Sequence, residues 1–217
     1  CAYTSSGGKQ RTHTQRTMSW ETAKKAIDFF AVHSRQAHSV NVGFYGGEPF
    51  LEFNLLRKAV SYAREVFEGR DLTFNVTTNG SIFTDEIIRY LLAENIAVLV
   101  SLDGNRQSHD KNRKLAASGG GTFDLVMRNI QRISTQYPEF LKKLQFNMVV
   151  DPSQSFTCYN SLQVDYEFFP KNALMANFVD SSLSDIQVVM TQDFAQQYTY
   201  DIFLAFLSAF NRISKEG

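Results

Sequence analysis

Hydrophobic residues along this chain switch repeatedly between two periods. Around 40–45 they alternate, with Val40, Val42 and Phe44 separated by Asn41 and Gly43, and this predicts a half-buried strand. Before it, Trp20, Ala23, Ala26, Ile27, Phe30 and Ala31 recur at threes and fours. That spacing predicts a helix from about 20 to 33, with Ser19 as N-cap and Glu21 in its first turn. The two periods then succeed each other. Leu56, Ala59, Val60, Ala63 and Phe67 mark a second helix, and Leu72, Phe74 and Val76 alternate with Thr73, Asn75 and Thr77 in a second strand over 72–78. Thr84 caps a third helix carrying Ile87, Ile88, Leu91 and Leu92, which Asn95 ends. Residues 96–102 are nearly continuously apolar, as expected for a parallel strand covered on both faces.

The second half repeats the theme. Phe123, Val126, Met127, Ile130 and Ile133 predict a helix, 144–150 a fourth strand, and 174–179 a fifth. A helix bearing Leu162 and Phe168 is expected within 156–169. The last helix, 194–213, places Phe194, Tyr198, Ile202, Phe203, Phe206, Leu207, Phe210 and Ile213 on its apolar side. That stripe fits core or interface packing better than a membrane anchor, because no basic face opposes it. Residues 105–114 read as a polar loop, and Gly119, Gly120 and Gly121 as a surface loop or a hinge. Strand and helix alternating in this way predict the α/β class, built from right-handed βα units. Functional groups then belong at the carboxyl ends of the strands, near 46, 79, 103, 150 and 180.

Composition narrows the reading. The 217 residues carry 22 basic and 22 acidic side chains, so no net field favours nucleic acid, and 43% hydrophobic content fits one large domain. No apolar run is long enough for a membrane span, and nothing resembles a signal peptide. Cys1 and Cys158 stand too far apart for a metal-ligand spacing or a disulfide framework. The segment 4–18 is polar and locally basic through Lys9, Arg11, His13 and Arg16. A chain that begins at Cys1 rather than methionine is expected to be a piece of a longer one.

The candidate chemistry lies at the strand ends. Gly46 and Gly47 bring backbone carbonyls within reach of a small molecule, and the carboxylate of Glu48 suits a cation such as an ammonium group. Taken alone, a Gly-Gly pair is as readily a simple turn. The next two strands end in Asn79-Gly80 and Asp103-Gly104, which are turn formers as well as candidate ligands.

G-G-E-P at 46–49, T-T-N-G at 77–80, S-L-D-G at 101–104 and H-D-K-N-R at 109–113 occur in that order. Together they resemble the successive strand-end motifs of radical S-adenosylmethionine (radical SAM) enzymes. The likeness is greatest to the branch that carries a SPASM-type extension and modifies peptides and proteins, and it covers about 1–180. Cys1-Ala2-Tyr3 resembles the end of that family's CxxxCxxC motif. The segments 11–13 and 16–19 resemble its linker to the first helix.

The resemblance implies a partial (β/α)6 barrel of parallel strands whose first strand lies upstream of Cys1. Residues 1–18 would be cluster-loop remnant and linker, and 19–217 a fragment of the core domain. It implies S-adenosylmethionine and a 4Fe-4S cluster as cofactors, with Cys1 one of three thiolate ligands. In the family the cofactor is cleaved to a deoxyadenosyl radical that takes hydrogen from a substrate carbon. Gly46, Gly47 and Glu48 match the segment receiving the cofactor ammonium. Ser101 matches a contact to its carboxylate, with Arg113 as a charged second partner; Arg113 alternatively pairs with Asp110. Asn79 is a candidate for the ribose or cofactor backbone, Val149 for the adenine, and Asp180 for the substrate. A peptide or protein substrate, a flavodoxin or ferredoxin as reductant and a cytoplasmic location follow from the same likeness. With one cluster cysteine, this chain alone is expected to hold no stable cluster. Peptide maturation is favoured over sulfatase maturation, because 176–182 and Phe44-Tyr45 depart from the sulfatase-maturing pattern. A noncatalytic βα scaffold or nucleotide-binding module, without any cluster, is the reading from a different class.

Overall fold

The computed structural model describes residues 16–170, 173–179 and 188–210. Cys1 and Asp180, expected at the two ends of the site, lie outside the described residues.

Five strands form one parallel sheet: β1 (Ser39–Phe44), β2 (Asp71–Thr78), β3 (Ala97–Ser101), β4 (Leu144–Val150) and β5 (Leu174–Phe178). Their order in the sheet is their order in the chain. With crossovers of one hand, that order puts every connecting helix on the same face. The helices are α1 (Trp20–His33), α2 (Phe53–Val66), α3 (Asp85–Ala93), α4 (Arg106–Asn112), α5 (Phe123–Gln136), α6 (Pro138–Leu141), α7 (Thr157–Asp165) and α8 (Gln192–Ala209). A short 3-10 turn, Pro49–Glu52, leads into α2.

The core lies between the sheet and these helices. Val40, Phe74, Val76, Val98, Val100, Leu144, Phe146 and Met148 are buried on the strands. They join Leu56, Ala59, Val60 and Ala63 of α2, Ile87, Ile88 and Leu91 of α3, and Phe123, Val126, Ile130 and Ile133 of α5 in one cluster. Burying each large side chain of this kind contributes about 1.5–3 kcal/mol. The caps read from the sequence form as expected: Ser19 Oγ accepts from Thr22 N, and Thr84 Oγ1 accepts from Ile87 N. Asn95 ends α3 with a positive φ of 54°.

Two expectations are corrected. The β3 strand is not covered on both sides among the described residues, since Ala97 is exposed and Leu99 and Ser101 are half-buried. The register explains this. The second face carries Asn75 beside Gly43 and Ala97, Thr77 beside Leu99, and Asn147 beside Ser101, and polar neighbours of this kind leave an open surface. Residues 105–114 are not a plain loop but contain α4, capped by Asn105 through Ser108 N. The glycine run lies exposed at the end of a small turn closed by an antiparallel bridge between Lys114 and Gly121, in agreement with the surface-loop reading.

No helix among the described residues is long and apolar enough to cross a membrane. On α8, Phe194 is buried against Phe156, Tyr159 and Phe178. Farther along the same helix, Ile202, Phe203, Phe206 and Phe210 are exposed.

Candidate functional site

At the end of β1, Gly46 and Gly47 are exposed, and neither has a positive φ. A Cβ placed on either meets no atom within 4 Å. The fold therefore does not itself require glycine there. The loop they form is held by the next residue. Glu48 Oε1 accepts from Phe50 N at 3.2 Å and from Thr78 Oγ1 at 2.8 Å, while Oε2 accepts from Asn79 N at 2.8 Å. One carboxylate thus ties the end of β1 to the end of β2. Burial pushes the Glu48 carboxyl above its ordinary pKa, against the opposing effect of these three donors.

The end of β2 is rigid. Asn79 Oδ1 accepts from Ser81 N at 2.8 Å, and Asn129 Nδ2 of α5 donates to Gly80 O at 2.9 Å. Gly80 has a φ of 75°, and a Cβ there would lie 2.9 Å from Val100 Cγ1. Unlike Gly46 and Gly47, this glycine is demanded by the fold.

The end of β3 opens a buried polar knot. Asp103 is 3% exposed. Its carboxylate accepts from Arg113 Nε at 2.6 Å, from Arg113 Nη2 at 3.1 Å and from Val149 N of β4 at 2.9 Å. Arg113 is thus held side-on by Asp103 and not by Asp110, which corrects the pairing expected as its alternative. Asp110 Oδ1 instead accepts from Phe123 N at the start of α5, and its carboxylate fills the space a Cβ on Gly121 would need. Beneath Asp103 sits His109, fully buried. Its Nδ1 accepts from Asp103 N at 3.2 Å and its Nε2 faces Thr122 Oγ1 at 2.9 Å. Burial, with help from the Arg113 charge, lowers the imidazole pKa to about 4, so His109 is neutral.

Gly46, Gly47, Glu48, Asn79, Ser101 and Val149 fall at the carboxyl ends of β1 to β4 or on the loops leaving them, and Arg113 is the C-cap of α4. Two linkages join them: Glu48 to Asn79, and Arg113 to Val149 through Asp103. Ser101, the last residue of β3, has no side-chain hydrogen-bond partner among the described residues. Sequence reasoning passed over Thr122, and it placed Asp103 at a strand end and His109 in a motif without assigning either a partner. The available signal was the four-residue spacing of His109 and Arg113, whose N–H closes the last turn of α4 on the His109 carbonyl.

The backbone carbonyls of Gly46 and Gly47 are acceptors, and the unbonded Ser101 hydroxyl and the remaining Nη1 of Arg113 are donors, so the chemistry of this donor set suits an ammonium and a carboxylate. No group of three or more His, Cys, Asp or Glu side chains among the described residues suits a metal ion.

Comparison with known proteins gives a consistent result. The model of the radical SAM superfamily matches residues 1–155. An uncharacterized protein of Methanocaldococcus jannaschii is 32% identical over 89 residues, 41% of this chain and 30% of that protein. The serine-type anaerobic sulfatase-maturating enzyme of Bacteroides thetaiotaomicron is 29% identical over 131 residues, 60% of this chain and 31% of that enzyme. The chain thus spans about a third of the length of these relatives. Among solved structures, native anSMEcpe with bound AdoMet and Kp18Cys peptide superposes with a TM-score of 0.71 at 16% identity. The match covers 91% of this chain and 54% of that one, and shows a shared fold.

Proposed function

The chain belongs to the radical SAM superfamily, and from that premise we propose that the whole protein cleaves S-adenosylmethionine to modify a residue of a peptide or protein. The observation that carries this reading is the pair Gly46 and Gly47. They are glycines at a strand end with ordinary φ and empty space where side chains would stand. Bare backbone with open space beside it is accessible to a ligand.

The residues divide the work. Gly46 and Gly47 present carbonyls to the ammonium of the cofactor, and Glu48 fixes their loop by its bonds to Thr78 and Asn79. The Ser101 hydroxyl and the outer nitrogen of Arg113 meet the carboxylate. In this reading the role of Asn79 is to bond the ribose or the cofactor backbone, that of Val149 to pack on the adenine, and that of Asp180 to contact the substrate. Cys1 supplies one thiolate of the 4Fe-4S cluster. Held by these residues, the cluster would supply one electron and S-adenosylmethionine the group that takes a hydrogen atom, so that methionine, deoxyadenosine and a substrate short of one hydrogen atom are the products expected of the cleavage. A flavodoxin or ferredoxin in the cytoplasm is the electron donor that suits this chemistry.

The experiment is anaerobic reconstitution of the whole native protein with iron and sulfide, followed by S-adenosylmethionine and a one-electron reductant. Deoxyadenosine is the expected product. A fully loaded protein that yields none overturns the reading and favours a noncatalytic scaffold. Sulfatase maturation is a second reading, and the relative named as a serine-type anaerobic sulfatase-maturating enzyme supports it. It predicts a mass change in a sulfatase-derived peptide bearing Ser or Cys, and none in other peptides.

A further inference from the structure

Arg113 is gripped at both ends. Its guanidinium lies along the Asp103 carboxylate. Its carbonyl accepts from Thr122 Oγ1 and from Thr122 N, each at 3.2 Å. Thr122 Oγ1 spends its proton on that carbonyl, so it accepts from His109 Nε2. The opposite nitrogen, Nδ1, accepts from Asp103 N, which requires the neutral imidazole with its proton on Nε2. Arg113 N in turn donates to His109 O at 2.9 Å. The circuit runs from Asp103 through His109 and Thr122 to Arg113 and back to Asp103. It joins the end of β3, the end of α4 and the start of α5, and every member is buried or nearly so.

A simple staple between α4 and β3 needs only the ion pair. The circuit adds a constraint on the main chain of the arginine, and so fixes where its remaining nitrogen points. We infer that His109 and Thr122 are positioning residues that aim Arg113 at the carboxylate of the bound amino acid moiety. The inference rests on the reading above, in which Arg113 meets that carboxylate. Neither residue touches the ligand. A misaimed guanidinium still carries its charge, so the loss falls on the directional part of a charge-assisted hydrogen bond.

The test uses the whole, cluster-loaded protein and two ligands, S-adenosylmethionine and its decarboxylated analogue. Dissociation constants are measured for wild type, Thr122→Val, which keeps the shape and loses the hydroxyl, and Thr122→Ser, which keeps the hydroxyl. Wild type should prefer the ligand that carries the carboxylate. Thr122→Val should narrow that preference by about tenfold, with binding of the analogue unchanged within about twofold. Thr122→Ser should restore the preference. If Thr122→Val does not fold, His109→Gln, which gives up the Nδ1 acceptor, is measured in the same way with the same expectation. An equal loss for both ligands, or no loss for either, overturns the inference and leaves the circuit a staple. A wild type that binds both ligands equally overturns the premise about Arg113 instead. Deoxyadenosine formation by that same wild type shows whether the enzymatic reading survives.

Discussion

A carboxylate with three donors around it is harder to replace than its charge suggests. In Glu48→Gln one amide oxygen still accepts from Thr78, but the amide nitrogen faces the Asn79 N–H, so two donors oppose each other across 2.8 Å. Burying an unmet donor costs about 1–3 kcal/mol, and the urea midpoint of Glu48→Gln should fall accordingly at unchanged slope. A variant as stable as wild type would show that Glu48 does not hold the two strand ends together. His109 sets a second expectation, in pH. Its folded pKa of about 4 lies below the ordinary 6.5. Between those values the unfolded chain binds a proton that the native one refuses. The contribution is therefore complete above about pH 6.5 and declines as pH falls toward about 4. Wild type should lose about 2 kcal/mol through this group between pH 7 and pH 5, measured as the difference in urea stability from His109→Gln. Identical pH slopes in the two proteins would mean that the buried imidazole titrates as it does in water.

At the scale of elements, glycine separates what the fold needs from what a ligand needs. Gly80 adopts a φ of 75° beneath Val100 and Val126, so Gly80→Ala combines left-handed strain with overpacking and should cost about 2–4 kcal/mol. Gly46→Ala and Gly47→Ala meet no neighbour, and should leave stability within about 1 kcal/mol while weakening S-adenosylmethionine binding in the whole protein. Thermal melts beside a binding titration check both; a stability loss at Gly47 matching that at Gly80 would remove the argument for a ligand over that loop. The same contrast explains what the sequence made legible. The strands could be read because Phe74 and Val76 alternate with Asn75 and Thr77, and because the helices α2, α3 and α5 keep an apolar stripe. The α4 helix could not, since RQSHDKN has no such stripe. It is held instead by the Asn105 cap and by the His109 circuit, contacts that exist only after β3 and α5 have come together. For the same reason Arg113 was legible as a candidate but its partner was not, because the nearer acid in sequence, Asp110, is already engaged by Phe123 N.

For the molecule as a whole, the sheet divides its surroundings sharply. One face is sealed by α2, α3 and α5, and the other presents amides such as Asn41, Asn147 and Asn177, the last two bonded to each other at 2.7 Å. A polar face of this kind can stay hydrated, so its openness costs little. The exposed stretch of α8 is different, because Phe203, Phe206 and Phe210 are 52%, 58% and 62% exposed and have no such compensation. Phe194 fixes the start of the helix in the core, and Phe194→Ala should cost about 3–5 kcal/mol. Two turns and more beyond it, Phe203→Glu with Phe206→Glu removes only solvent-facing rings, and such changes stay within about 0.5 kcal/mol per site. A contiguous apolar patch is nonetheless sticky. The double variant should therefore melt with wild type, bind less of a hydrophobic dye and remain monomeric to higher concentration in sedimentation runs. Unfolding on introduction of the two glutamates would mean instead that this face is packed inside the native chain, and that the helix is as integral to the fold at Phe206 as it is at Phe194.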